Sequence, residues 1–321
     1  MKQLLALTFC LLIRAGYSQQ PVPVILDTDI APDYDDVGAM ALLHSLCDKG
    51  EATILATISC NAFETTAPTL SLLNTYFKRP EIPIGIVKKD KPYENCKQKW
   101  AEAIVANYPH ALKKNEEALE ATALYRKILS GQPDKSVTII TVGFFTNLAS
   151  LLDSKADAYS PLSGNELVGR KVKQLVSMAA GTGNDGKGFR EFNVKVDVAA
   201  SQKVFKEWPT PFLLSGFEIG VKILTGTRLI ANDGIKGSPV KDAFQLALTA
   251  DKNTEGRCSW DQTAVLVGVR GANPYFDIRK VNIEIKEDGT SIITPGDRFS
   301  YLIEKMPTKE VAKAIEDLMM R

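Results

Sequence analysis

Five carboxylates fall within ten residues in Asp27-Thr28-Asp29-Ile30-Ala31-Pro32-Asp33-Tyr34-Asp35-Asp36, directly after the apolar stretch 22–26. Anions gathered at the end of a buried strand repel one another and lose hydration. Such a cluster persists only if a cation, protons or strong hydrogen bonds compensate it. An all-oxygen set of hard ligands is what Ca²⁺ or Mg²⁺ requires, so this segment is the leading candidate for a metal-centred active site.

Other polar groups recur just beyond apolar runs. Ser59-Cys60-Asn61 follows one, and Val142-Gly143 leads into Thr146-Asn147. Another run leads into Gly181-Thr182-Gly183-Asn184-Asp185-Gly186 and then Glu191-Phe192-Asn193, while Ser259-Trp260-Asp261 opens a late helical pattern. Taken singly, each has a plainer reading. Asp36, Asp261 and Thr146-Asn147 could be helix caps, Asn61 and Asn193 turn residues, and 181–188 a glycine loop. That loop is not a phosphate loop, since no Gly-Lys-Ser/Thr follows it. His44, inside a helical pattern, and His110, after Tyr108-Pro109, suit packing or surface roles better than catalysis. No Gly-x-Ser-x-Gly elbow supports a serine hydrolase.

The elements that would position these groups alternate. Strands are expected at 22–27, 53–60, 84–87, 137–142, 174–179 and 212–215, several of them apolar on both faces. Helical patterns fall at 36–48, 66–77, 116–130, 146–152 and 198–207. The alternation implies βαβ units and an α/β fold: an open, mostly parallel, doubly wound sheet with helices on both faces. Ligands bind such sheets beyond the carboxyl ends of the strands, where the polar clusters lie. The last third reads as helices at 239–250 and 261–269, a β-hairpin pairing 281–285 with 291–294, and a closing amphipathic helix capped by Thr308.

Residues 1–18 read as a secretory signal peptide: Lys2, an apolar run at 4–13, and a small-x-small site at Gly16-Tyr17-Ser18. The run is shorter than the roughly 20 residues a membrane span needs. Residues 19–321 are then expected as one domain, secreted or periplasmic, with no membrane partner. Lys+Arg 39 against Asp+Glu 38 gives +1, and loss of Lys2 and Arg14 with the leader brings this to −1. That balance makes no electrostatic case for nucleic acid or anionic membranes. Cys47, Cys60, Cys96 and Cys258 are spaced unlike a disulfide scaffold or a zinc site, so free thiols are expected, with one disulfide left open.

Four blocks together resemble a known family. Asp27-Thr28-Asp29 with Asp35-Asp36-Val37-Gly38-Ala39, Gly143-Phe144-Phe145-Thr146-Asn147-Leu148-Ala149, Glu191-Phe192-Asn193-Val194 with Asp197, and Trp260-Asp261 stand in the order and spacing of the Ca²⁺-dependent nucleoside hydrolases. The resemblance implies an N-ribohydrolase acting on a nucleoside or related N-riboside. It implies Ca²⁺ ligation by Asp29, Asp36, Asp261 and the backbone carbonyl of Val142, with Asp29 also the general base for the attacking water. Asp35, Asn61, Asn184, Glu191 and Asn193 would bond the ribose hydroxyls. Members are often dimers or tetramers, so a homo-oligomer is allowed. Two departures stand out. The aspartate block is two residues longer than the family's, so Asp33 competes with Asp35 for the sugar. Trp260 occupies the position where many members carry a histidine that protonates the leaving base; an indole can stack on a base but not protonate it. Two other readings remain: a Ca²⁺-dependent ribose- or nucleoside-binding protein with little turnover, and a Mg²⁺-dependent phosphatase using Asp27 as nucleophile.

Overall fold

A computed structural model describes residues 20–87, 92–183 and 187–320; the expected signal peptide and Asn184 lie outside them. The strands are β1 (Val22–Thr28), β2 (Ala52–Ser59), β3 (Ile84–Ile86), β4 (Leu119–Glu120), β5 (Val137–Thr141), β6 (Val172–Met178), β7 (Phe212–Ser215), β8 (Leu224–Thr225), β9 (Arg257–Cys258), β10 (Phe276–Ile285), β11 (Ser291–Pro295) and β12 (Phe299–Glu304). The helices are α1 (Asp35–Asp48), α2 (Thr66–Tyr76), α3 (Trp100–Asn107), α4 (Ala121–Ser130), α5 (Thr146–Asp153), α6 (Gly164–Lys171), α7 (Phe192–Val196), α8 (Val198–Glu207), α9 (Phe217–Gly220), α10 (Thr227–Ala231), α11 (Pro239–Ala250), α12 (Trp260–Arg270) and α13 (Thr308–Met319).

Ten strands form one sheet in the order β11-β10-β12-β7-β6-β5-β1-β2-β3-β4, parallel except where β10 pairs with its two neighbours. The expected mostly parallel, doubly wound architecture is therefore the observed one. Strand β1 is central because it is buried on both faces: Val24 and Leu26 join one apolar cluster, and Ile25 joins the other. Helices α1, α2, α11, α12 and α13 contribute to the first cluster, and α4, α5, α6 and α8 to the second. From β1 the chain winds outward through β2, β3 and β4, then returns to β5 on the other side of β1. That reversal opens a crevice at the carboxyl ends of β1 and β5, where Asp27 sits level with Thr141.

Close packing of α1 on α12 fixes the next part of the site. A Cβ at Gly38 would lie 2.4 Å from the Gln262 side-chain nitrogen, so glycine here leaves the room that the buried Gln262 side chain occupies between the two helices. Their first turns, carrying Asp36 and Asp261, are thereby brought together.

Some expectations are corrected. The helix expected at 116–130 begins only at Ala121. Glu120 accepts a hydrogen bond from Ala123 N at 2.9 Å and caps it, while Asn115–Glu117 form a 3₁₀ turn and Leu119–Glu120 pair with β3. The hairpin is present, but its first strand is twice as long as expected because β12, unforeseen, pairs along residues 276–281 and joins the hairpin to β7. Thr308 is the first helical residue of α13, after Pro307, and makes no cap. All four described cysteines are free thiols. Among the described residues no helix is long and apolar enough to cross a membrane.

Candidate active site

The aspartate run leaves β1 and turns into the first turn of α1. Asp27 is the last buried acid within the strand. Its carboxylate accepts from Tyr125 Oη at 2.8 Å and from Asn147 Nδ2 at 3.1 Å. Burial pushes its pKa up to about 7 despite these bonds. The Thr146-Asn147 pair is therefore no helix cap. Asn147 holds Asp27, and Thr146 Oγ1 donates to Asp197 at 2.6 Å. Nor do Asp36 and Asp261 cap their helices: the residues before α1 and α12 are Tyr34 and Ser259, and neither end carries a side-chain cap.

Freed from capping, the acids converge. Asp35, Asp36 and Asp261 each present a carboxylate oxygen, and the three lie within 4.8 Å of one another. All three are buried and line a cavity of about 290 Å³ together with Asp29, Asp33 and Glu191. Thr28 Oγ1 donates to Asp36 Oδ1, while Asp36 Oδ2 is buried without a partner. Burial first, and then repulsion among Asp29, Asp33, Asp35 and Asp36, holds the carboxyls of Asp29, Asp36 and Asp261 well above the usual range. Three buried carboxylates gathered around one point, one of them with an oxygen that no donor reaches, are what a hard divalent cation needs, and the donor set fits one.

The trio differs by one member from the expected ligands. Asp35, expected on the sugar, stands with Asp36 and Asp261 because it shares the first turn of α1 with Asp36. Asp29 lines the same cavity but lies outside the trio. Val142 also lines the cavity; its carbonyl accepts from Asn193 Nδ2 at 3.2 Å. That amide also donates to Met178 O at 3.1 Å. Glu191 caps α7 through Asn193 N and Val194 N, and burial raises its carboxyl to about 7.

Asn61 is placed differently from the sugar-facing role expected of it. It is fully buried and does not line the cavity. Its amide donates to the carbonyls of Asp29 at 3.0 Å and Glu94 at 2.8 Å, and accepts from the N–H groups of Phe63 and Glu94. With those bonds made, Asn61 fixes the backbone under Asp29.

An aromatic wall faces the acids. Trp260 stacks on Phe217 with ring centroids 5.2 Å apart, and Phe217 lies against Phe189 at 4.5 Å. The indole N–H donates to Phe217 O at 2.9 Å. Sequence reasoning missed Arg257, whose guanidinium enters this cavity and bonds Asp35 and Asp33. It stands 222 residues from Asp35, and no local pattern marks it. His44 is buried, bonded to Asn74 and stacked on Phe77, as a packing role requires.

Residues 24–318 match the model of the inosine-uridine preferring nucleoside hydrolases. The chain belongs to that family. Among related nucleoside hydrolases, the pyrimidine-specific ribonucleoside hydrolase RihA of Shewanella sp. (strain ANA-3) is 31% identical over 215 residues, covering 61% of this chain and 59% of that protein. RihA of Salmonella dublin is 31% identical over 240 residues, 68% of each. In structure the chain is similar to the purine-preferring ribonucleoside hydrolase from Gardnerella vaginalis, with a TM-score of 0.70 at 16% identity over 93% of this chain and 96% of that one. The plant nucleoside hydrolase PpNRh1 superposes with a TM-score of 0.68 at 17% identity, covering 94% and 99%. These likenesses confirm the nucleoside hydrolase fold. The family match overturns the phosphatase reading, and Asp27, the nucleophile it needs, is fully buried and does not line the cavity.

Proposed function

We propose that this nucleoside hydrolase family member cleaves the N-glycosidic bond of a ribonucleoside or related N-riboside with water, giving ribose and free base, and uses Ca²⁺ to do so. The single observation that carries this is the meeting of Asp35, Asp36 and Asp261 oxygens within 4.8 Å inside a cavity that also holds Asp29. The cation would be held by these carboxylates, with Asp29 and the Val142 carbonyl as further donors, and when bound it supplies Lewis acidity toward water and an anchor for vicinal hydroxyls.

The protein's own groups do the rest. Asp29, raised by burial, accepts a proton from the attacking water. The surrounding carboxylates stabilise positive charge as the ribose gains oxocarbenium character, and water adds to the anomeric carbon from the face opposite the base. Glu191 and Asn193 border the sugar. Trp260 and Phe217 give the base a flat apolar wall. We further propose that residues 19–321 act as one domain after removal of the leader at 1–18, in a secreted or periplasmic setting.

A reducing-sugar assay across a nucleoside panel, with and without chelator, tests the reading. Release should require the divalent cation, with Ca²⁺ restoring it, and Asp29→Ala should abolish turnover. Release indifferent to chelation would contradict it. One observation favours a second reading, a nucleoside-binding protein with little turnover: the Trp260 N–H is already bonded to Phe217 O, so that position supplies no acid. Saturable ribose or nucleoside binding without base release would select that alternative.

A further inference from the structure

Arg257 is the one cation bonded within the acid cluster among the described residues, and its setting is more elaborate than charge balance requires. Its Nε donates to Asp35 Oδ1 at 2.9 Å. Its Nη2 meets Asp33 Oδ1 at 2.6 Å and Asp35 Oδ1 at 2.9 Å. The guanidinium carbon lies 5.1 Å from the Tyr34 ring centroid and 5.0 Å from that of Trp260. Two carboxylates and two aromatic rings thus fix the plane of the fork, and its side chain is only 17% exposed. Nη1 has no protein partner among the described residues, although Arg257 lines the cavity beside Trp260. A staple between Asp33 and Asp35 would need neither the two rings nor a spare donor.

We propose that Arg257 binds the leaving base, donating a hydrogen bond from its free nitrogen to an acceptor atom of the base as the N-glycosidic bond breaks. This rests on the N-ribohydrolase reading above. A guanidinium keeps its proton at any physiological pH, so Arg257 stabilises charge and does not protonate. The electron pair of the broken C–N bond passes to the departing nitrogen and delocalises onto the acceptor facing the fork. The water that adds to the anomeric carbon gives its proton to Asp29, and the base anion takes a proton from solvent after release. The two departures of this sequence then belong together. The longer aspartate block supplies Asp33, which holds Arg257, and Arg257 serves the leaving group on the side where Trp260 cannot. The substrates favoured are N-ribosides whose base carries a carbonyl or ring-nitrogen acceptor conjugated with the glycosidic nitrogen.

The test compares kcat/KM on uridine and inosine with kcat/KM on p-nitrophenyl β-D-ribofuranoside, whose phenolate leaves without assistance. In Arg257→Met the nucleoside rate should fall by about 10²-fold, the cost typical of losing one donor to developing charge. The activated riboside should be far less affected, so the ratio of the two falls steeply. Arg257→Gln, neutral but polar, should lower the ratio in the same direction and guards against misfolding of the Met variant. Loss of a purely structural role would disturb Asp33, Asp35 and the sugar site, and would depress both substrates equally. An unchanged ratio in both variants overturns the proposal. A wild-type protein that cleaves neither nucleoside nor activated riboside overturns the underlying reading instead.

Discussion

Replacing Gly143 with alanine tests the placement of Asp29 directly. A Cβ there would lie 2.5 Å from Asp29 N, 2.6 Å from Cys60 Sγ and 2.9 Å from Asp29 Cβ. Non-bonded carbons need about 3.5 to 4 Å, so Asp29 or the β5 end must yield by roughly 1 Å. Asp29 is also tied through its carbonyl to Asn61 at 3.0 Å, so the strain has little room to dissipate. A 1 Å shift of a reacting group costs about 10²-fold in rate, and overpacking of this kind costs about 1–3 kcal/mol of stability. Gly143→Ala should therefore lose about two orders of magnitude in kcat while still folding, read by steady-state kinetics and thermal denaturation. Adding Cys60→Ala removes the sulfur contact but not the contact with Asp29 N, so it should recover stability and leave kcat low. Gly169→Ala is the control: its Cβ would meet only Pro209, at 3.7 Å, and should be silent. A folded Gly143→Ala protein with wild-type kcat would refute the assignment of Asp29 as the base.

Further outcomes follow from the same geometry. Asp27 rises from its ordinary 3.8 to about 7, so its contribution is full below pH 4 and is lost as pH rises through 7, a swing of about 4 kcal/mol. Glu191, also raised to about 7, acts in the same direction. Chelator-treated protein should melt at progressively lower temperature between pH 5 and pH 8, with a divalent cation reversing the loss at pH 8; a chelated protein equally stable across that range would refute this. Asn147→Ala removes donors that favour ionised Asp27 and should cost about 1–3 kcal/mol, more at pH 8 than at pH 5, by denaturant titration at both. Arg126, only 2% exposed at its side chain, donates to Asp157, Ser154 and the carbonyls of Ser160 and Leu162. Arg126→Met should cost about 3 kcal/mol and leave KM unchanged, since neither Arg126 nor the residues it bonds line the cavity.

Much of this was legible in the sequence because the signals were local. The strand at residues 212–215 and the helices at 198–207 and 239–250 are found at the expected bounds, since each is a clean periodic run between breakers. The acids of the 27–36 block and Asp261 could be gathered by reasoning because each follows a strand or opens a helix. What escaped notice depends on partners distant in the chain. Asn147 looks like a cap until β1 places Asp27 above it. Asn61 looks like a ligand until the segment near Glu94 folds over it. Arg257 carries no pattern at all, and only the two-stranded β8–β9 pairing delivers it to Asp33 and Asp35. β12 was missed because its side chains do not alternate cleanly between apolar and polar.

The margins of the ten-stranded sheet carry a consequence for how copies of this chain can meet. One border is β4, two residues long, and the other is β11, which ends in Pro295, a residue with no amide hydrogen to offer. Among the described residues both border strands are short, so each is a poor template for a sheet running on from one molecule into the next. Copies of this chain that met through helical flanks and loops would leave the crevice at the strand ends unobstructed by backbone pairing.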